Sequence, residues 1–553
     1  MSAPDHGRAS GPATTPRPVS GPATVAEQFA RAEAAYGDRR ALRSADVGHP
    51  ATGSAAGWLT FAQVAELART AVARLAVLGA GPGDRVVLAL PNSVLLRVLD
   101  RAVLGSGLVR VALSPRLHPR EIAGIAADCG ARVVCCTPGA EQAVRAALAH
   151  AGASAAVTAC ADDAPGRTGS PVLTPAVLAA ASTPPPPGWP APAPADIAML
   201  MYSSGTTGRP KGVVVTHGTW AAQTVRALGV LPPVGPGDVV LAVAPMSHFG
   251  GSIGLDCAVS GAATVTMSRF DAGAVLDAVE AYGVTVLPLA PVMLERIARA
   301  AAPRTAPVPG IRAVPYGGSP LGAEALAPAA EVFPGALTQF YGLAEALAPL
   351  TVLAPADHDS GVPGRLASAG RVADGVELRL ADGEIEVRGD TVMAGYWNRP
   401  ELTAAAFRDG WFRTGDLAEI DADGYVRLTG RSGETIVTGG FNVQPAEVER
   451  VLAPVAGVRE AAVVGLPHPE WGEGVTAAVV LDGGPRTGTP GEDVLAALAR
   501  ACAGALAGYK KPVAVHAVPE IPRNAAGKTD RAALRKLLTG RSGGSGRSER
   551  EEH

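Results

Sequence analysis

The sequence predicts an α/β protein in which helix-flanked, mostly parallel sheets and a small β-rich subdomain make a large N-terminal domain, followed by a small α+β C-terminal domain. Three observations carry this expectation. Apolar runs of strand length alternate with amphipathic helical stretches from Thr24 onward, the pattern of parallel sheet covered by helices on its faces. Between Gly361 and Leu428 the texture changes to short strands punctuated by turns such as ADGE and DADG. A shorter stretch, from about Arg431 to Leu538, mixes both. The chain of 553 residues is too long for one ordinary core, so more than one domain is expected.

Taken in order, residues 1–22 are proline-, glycine- and serine-rich and are expected to form a disordered leader. TVAEQFARAEAAYG then has helical spacing. The stretch from Gly57 to Ser93 predicts a strand end, a long amphipathic helix, a Gly-Pro turn and a buried strand. The unit recurs as a helix over Leu95 to Gly105, a strand at Leu108 to Leu113, a helix from Pro119 and a strand at Arg132 to Cys136. Ala181 to Ala195 is a proline-rich spacer that fits neither helix nor sheet. Helix and strand alternate again through VVLAVAP, a helix around Gly273 to Tyr282, and VTVLPLAP. The expected divisions are 23–430 for the N-terminal domain and 431–538 for the C-terminal one, with a disordered charged tail over 539–553.

Composition excludes several classes of function. A net charge of −3 gives no broad basic surface, and 4 % aromatic residues leave little for base stacking, so no nucleic-acid partner is expected. The six cysteines form no CxxC pair, which argues for buried thiols over a zinc site or a disulfide framework. No apolar run is long enough to span a bilayer and the N-terminus lacks the apolar segment of a signal peptide, so a soluble, cytoplasmic protein is expected.

The chemistry centres on Asp196 to His217, DIAMLMYSSGTTGRPKGVVVTH. An apolar strand, Ile197 to Tyr202, runs into a loop of hydroxyl and glycine residues and then a second β-rich run, Val213 to Val215. Glycines let backbone N–H groups close on an oxyanion, and Arg209 and Lys211 add positive charge. A Walker-type P-loop needs GxxxxGK[ST] leading into a helix. Here Pro210 interrupts the basic pair, no hydroxyl follows Lys211, and a strand comes next.

The string YSSGTTGRPKG resembles the phosphate loop of the adenylate-forming superfamily, which includes acyl-CoA synthetases, adenylation domains and luciferases. Further motifs follow in the family's order from about Thr24 to Leu538. The resemblance implies that Ser203, Ser204, Gly205, Thr206, Thr207, Gly208 and Lys211 cradle the phosphates of ATP. In YGLAEA, Tyr341 and Gly342 would pack at the adenine, and Glu345 would hold Mg²⁺, a hard cation suited to carboxylate and phosphate oxygens. Ala344 departs from the threonine that most relatives place there. YGGSP supplies Gly317, Gly318 and Ser319 beside adenine and acyl group. Asp416, closing WFRTGD, matches the carboxylate that accepts from both ribose hydroxyls, and Arg431 matches a nucleotide-binding arginine.

By the same resemblance Lys528, in PRNAAGKTDR, is the mobile cation that bridges the substrate carboxylate and the α-phosphate. The C-terminal domain would be mobile about Gly433, where relatives carry Asp or Lys. Gly439 and Gly440 would line a pantetheine tunnel. The acyl pocket is expected to comprise His248 as a gate to the carboxylate, with Phe249, Gly250, Gly251, Gly318 and Ala346. The activity implied is ATP-dependent adenylation of a small-molecule carboxylic acid, with release of pyrophosphate, then transfer to the thiol of coenzyme A. Alternatives are loading of the phosphopantetheine of an acyl carrier protein, adenylation of another oxyanion such as nitrite for coupling to an amine, or a nucleotide-binding pseudoenzyme. A monomer or homodimer is expected.

Overall fold

The computed structural model describes residues 23–46, 57–162, 172–181, 186, 188–204, 210–302, 307–318, 321, 323–358, 361–362, 364–431, 435–483, 487–522 and 529–542. Five sheets organise them. The largest has seven strands, ordered Gly395–Tyr396, Pro210–Thr216, Ile197–Ser204, Val109–Ala112, Arg85–Ala89, Val133–Cys136 and Ala156–Ala159. From Ile197–Ser204 to the last of these the pairing is parallel, whereas Pro210–Thr216 runs antiparallel to both its neighbours. The central parallel strands Arg85–Ala89 and Val133–Cys136 are buried on both faces, which is why, after Arg85, they are runs of Val, Leu, Ala and Cys without polar alternation.

Helix boundaries follow local capping chemistry. Val25–Tyr36 starts at Thr24, whose hydroxyl and the Glu27 carboxylate form a reciprocal capping box. Pro119–Cys129 starts at His118 with Glu121 closing a similar box, has proline at its first position, and stops at Gly130 in the left-handed region. These ends agree with the sequence expectation to within a residue or two. VTVLPLAP is the exception. It forms no regular strand and contributes only isolated bridges at Val286 and Leu289, which tie it to Val240 on one side and to Ala313 and Tyr316 on the other.

A second, four-stranded sheet joins Leu59–Thr60, Arg40–Ser44, Ala263–Thr266 and Val239–Ala242, and a third joins Val314–Gly317, Leu337–Leu343, Ala346–Leu353 and Arg371–Val372. The β-rich stretch forms a fourth sheet around Trp411–Ile420, with hairpin turns at the predicted positions. The fifth sheet, built on the long pair Val458–His468 and Gly472–Leu481, lies wholly in the C-terminal segment and has hydrophobic clusters of its own on its faces. Among the described residues no helix is long and apolar enough to cross a membrane, and all six cysteines are free and buried.

Candidate active site

A cavity of about 1050 Å³ lies where the first four sheets meet the C-terminal segment. Its most polar corner is built by the antiparallel strands of the large sheet. Lys211 on Pro210–Thr216 places its ammonium 2.9 Å from Glu345 Oε1. The same nitrogen donates to the Tyr396 hydroxyl at 2.8 Å, and Tyr396 donates to Glu345 Oε1 at 3.0 Å. Strand register explains the meeting: Tyr396 pairs with Val213, two residues beyond Lys211. Burial, then the Glu345 charge, pushes the Tyr396 phenol well above its ordinary value, so it remains a donor. Tyr396 escaped the sequence reading because its partner in space is 185 residues away.

Tyr341 and Asp416 are also brought together. The Tyr341 hydroxyl donates to Asp416 Oδ2 at 2.7 Å, and both residues are buried. Their chain neighbours Gly342 and Gly415, rather than the pair itself, line the cavity. The backbone of Arg431 pairs with that of Asp416 on the adjacent strand. Two glycines are required by close approach. A Cβ at Gly317 would stand 2.3 Å from the Phe340 carbonyl oxygen, and one at Gly342 would stand 2.6 Å from Ala348 Cα. Gly318 lines the cavity with φ +93°, a left-handed conformation suited to glycine.

His248 caps the helix Phe249–Val259, and its Nδ1 lies 2.7 Å from Ser247 Oγ. The residue lines the cavity and is solvent-exposed there. Desolvation by the surrounding protein atoms, then the nearby Arg110 charge, lowers its pKa to about 4, so it is neutral at neutral pH. The loop that carries it is pinned from behind. Asn92 Nδ2 donates to the Ala242 and Ala244 carbonyls, and Arg110 donates to that of Met246. Phe249 and Gly250 line the cavity. Two expectations for the acyl pocket need correction. Gly251 turns away, and a Cβ there would meet the Met246 carbonyl at 2.0 Å. Ala346 is wholly buried in the core behind the strand, while Ala344, Leu347 and Ala348 take the lining positions.

The opposite wall comes from the C-terminal segment. Gly439 and Gly440, with φ +55° and +82°, form the tight hairpin turn between Ile436–Thr438 and Phe441–Val443. Phe441 meets the His248 ring edge-on at a centroid distance of 6.5 Å and stacks on Tyr509 at 4.2 Å. Beside it Lys510 Nζ reaches Glu121 at 2.7 Å and Glu447 at 2.6 Å. Burial alone would favour the neutral amine, yet the two carboxylates outweigh it and hold Lys510 above its ordinary range. This contact was invisible in sequence, since Glu121 is 389 residues from Lys510.

Of the phosphate-loop residues, Ser203 and Ser204 end the strand that pairs with Lys211 and Pro210. Gly205, Thr206, Thr207, Gly208, Ser319, Gly433 and Lys528 lie outside the described residues. Among the described residues no three acidic, histidine or cysteine side chains form a metal-binding group. Glu345, held beside Lys211, offers one carboxylate, which fits a cation that takes most of its ligands from phosphate and water.

The AMP-binding enzyme family model matches residues 29–397, and the model of the AMP-binding enzyme C-terminal domain matches 447–528. A feruloyl-CoA synthase from Amycolatopsis is 36 % identical, over 85 % of this chain and 93 % of that protein. The amide bond synthetase McbA from Marinactinospora thermotolerans superposes with a TM-score of 0.78 at 30 % identity, covering 93 % of this chain and 99 % of that one. A double mutant of o-succinylbenzoate CoA synthetase from Bacillus subtilis, bound with its product analogue, gives the same TM-score at 26 % identity over 92 % of this chain and 98 % of that one.

Proposed function

This chain belongs to the family of AMP-binding enzymes, and from that premise we propose that it is an AMP-forming ligase that activates a carboxylic acid and passes the acyl group to coenzyme A. The observation that carries the reading is the shared cavity. One wall presents a lysine, a carboxylate and a neutral histidine, and the other presents a glycine hairpin from a separate unit, as a two-step reaction on one acyl group requires.

In the first step a carboxylate oxygen attacks the α-phosphorus of ATP, the bond to the β-phosphate bridging oxygen breaks, and pyrophosphate leaves with that electron pair. Lys211, with residues 203–208, binds phosphate. Asp416 accepts from the ribose, its orientation fixed by the Tyr341 hydroxyl. Glu345 would hold Mg²⁺, which neutralises phosphate charge when bound. His248, uncharged, borders the carboxylate without trapping it as an ion pair. Lys528 reaches the developing charge when the unit over 431–538 turns about Gly433. In the second step a thiolate attacks the acyl carbon and AMP departs. The thin turn at Gly439 and Gly440 leaves room for a pantetheine arm, and the stacked rings of Phe441 and Tyr509 line the cavity near it.

Similarity to McbA gives a second reading, in which an amine replaces the thiol. Pyrophosphate release across a panel of acids, with AMP and product measured in the presence of coenzyme A or of amines, decides between them. Thioester formed stoichiometrically with AMP supports the first reading, amide alone supports the second, and no pyrophosphate with any acid overturns both. Asp416→Ala is expected to weaken ATP binding by about 100-fold, roughly 2–3 kcal/mol for lost charge-assisted hydrogen bonds. Calorimetry showing unchanged affinity removes Asp416 from the nucleotide site.

A further inference from the structure

Glu384 opens the strand Glu384–Arg388 of the β-rich sheet and lines the cavity, with 8 % of its surface exposed. Opposite it the strand Trp411–Ile420 leaves the ladder. Glu384 pairs with Leu417 and Glu386 with Arg413, so Thr414, Gly415 and Asp416 together stand against Ile385 alone. Such a bulge re-aims side chains and takes backbone groups out of the ladder. Here the freed groups are met by side chains. Glu384 Oε1 accepts from the Gly415 N–H at 3.0 Å. The Thr414 hydroxyl donates to the Ile385 carbonyl at 2.8 Å and accepts from the Asp416 N–H at 3.1 Å. Gly415 has φ +76°, a left-handed conformation that suits glycine. Arg413, Thr414 and Gly415 all line the cavity, so the bulge faces it.

We propose that Glu384 is a positioning residue for the nucleotide: by accepting from the Gly415 N–H it holds the Thr414–Asp416 bulge in the shape that presents Asp416 to the ribose hydroxyls. The inference rests on the reading of Asp416 as the ribose carboxylate. Two anchors then define that carboxylate. Tyr341 fixes its head through Oδ2, and Glu384 fixes the backbone it hangs from. A glycine at the centre of the bulge resists no backbone rotation by itself, so the shape depends on the partner of its N–H. The remaining oxygen of Glu384 is held in turn, Oε2 accepting from Arg413 Nη2 at 2.7 Å and Nε at 3.2 Å. That ion pair alone does not account for the residue, because the Arg413 side chain is 38 % exposed and such pairs contribute little.

The test uses the full-length enzyme and calorimetry with MgATP, its 2′-deoxy and 3′-deoxy analogues, and inorganic pyrophosphate, which carries no ribose. The wild type is expected to bind ATP about tenfold more tightly than either deoxy analogue, the worth of a hydrogen bond to a charged group. Glu384→Ala is expected to bring that ratio below about threefold while pyrophosphate affinity stays within about twofold. Glu384→Gln keeps an acceptor oxygen for the Gly415 N–H and is expected to retain most of the ratio. A ratio that survives Glu384→Ala but is lost in Asp416→Ala overturns the proposal and leaves the ribose reading standing. A wild type that does not distinguish ATP from its deoxy analogues overturns both. Parallel weakening of ATP and pyrophosphate makes Glu384 a general support and also overturns the proposal, as does a Glu384→Gln variant no better than Glu384→Ala. Should Glu384→Ala fail to fold, Glu384→Met, which keeps the length of the side chain without an acceptor, carries the same comparison.

Discussion

The two walls of the cavity are held by different physics. On the N-terminal wall, Lys211, Glu345 and Tyr396 stand on paired strands whose register sets their distances, and Tyr341 and Asp416 are locked by a buried hydrogen bond. On the C-terminal wall the described contacts seen between the two units are side chain on side chain: the Phe441–His248 edge contact and the bridge from Lys510 to Glu121. Moving the first wall would break sheet hydrogen bonds. Separating the second costs one buried ion pair and some ring contact. Groups that must be fixed are therefore placed on the first, and a unit that exchanges its contacts between two steps can be carried on the second.

If that division is right, the largest effect comes from a residue that acts in only one arrangement. Lys528→Ala is expected to slow adenylate formation by roughly two to three orders of magnitude, while thiolation of a supplied acyl-adenylate stays within severalfold. Equal loss in both half-reactions, with the fold intact by circular dichroism, breaks the contrast between the walls.

The next concerns the fixed wall's support. His217, at the start of the helix behind it, is fully buried with neither ring nitrogen partnered among the described residues, and burial pushes its pKa down to about 4. Unfolded histidine titrates near 6.5. Between these values the unfolded chain binds the extra proton, so stability is complete above about pH 6.5 and is lost as pH falls through 4. The loss is roughly 3 kcal/mol. Denaturant titrations across that range should show the slope, and His217→Phe should flatten it; an unchanged slope assigns the acid sensitivity elsewhere.

A smaller effect is expected at the docked wall. Glu121→Gln keeps the capping box of its helix but removes one of the charges on buried Lys510. Thioester formation should slow about tenfold, near 1.4 kcal/mol, with pyrophosphate release changed less than twofold. A matching decline in both steps would make the bridge a general stabiliser instead of a docking contact.

The smallest is at Ala344, which lines the cavity beside the close approach of Gly342 to Ala348. Ala344→Thr adds a methyl and a hydroxyl where small residues bring two strands together, so single-turnover adenylation should fall severalfold through overpacking. Acceleration would show that the alanine is an uncompensated loss of a phosphate contact.

Most of this architecture was written locally. Capping residues at Thr24, His118 and Thr216, glycine stops and apolar runs set the element ends, because each acts within a few residues. The same holds for the motif residues Lys211, Glu345 and Asp416, whose types and order are recognisable before any contact is known. VTVLPLAP had strand composition, yet its pairing depended on which sheets pass beside it. The resemblance places Ala346 and Gly251 in the pocket, but which way a residue faces follows strand register and helix phase against distant neighbours. Tyr396 beside Lys211, Lys510 between Glu121 and Glu447, and Glu384 against the backbone of Gly415 are pairings over long chain separations. The sequence by itself determined the family, the elements and the cast of polar groups. Which groups meet, and which are left without a partner, was decided by tertiary packing, because hydrogen bonds and burial depend on separations in space that no local pattern encodes.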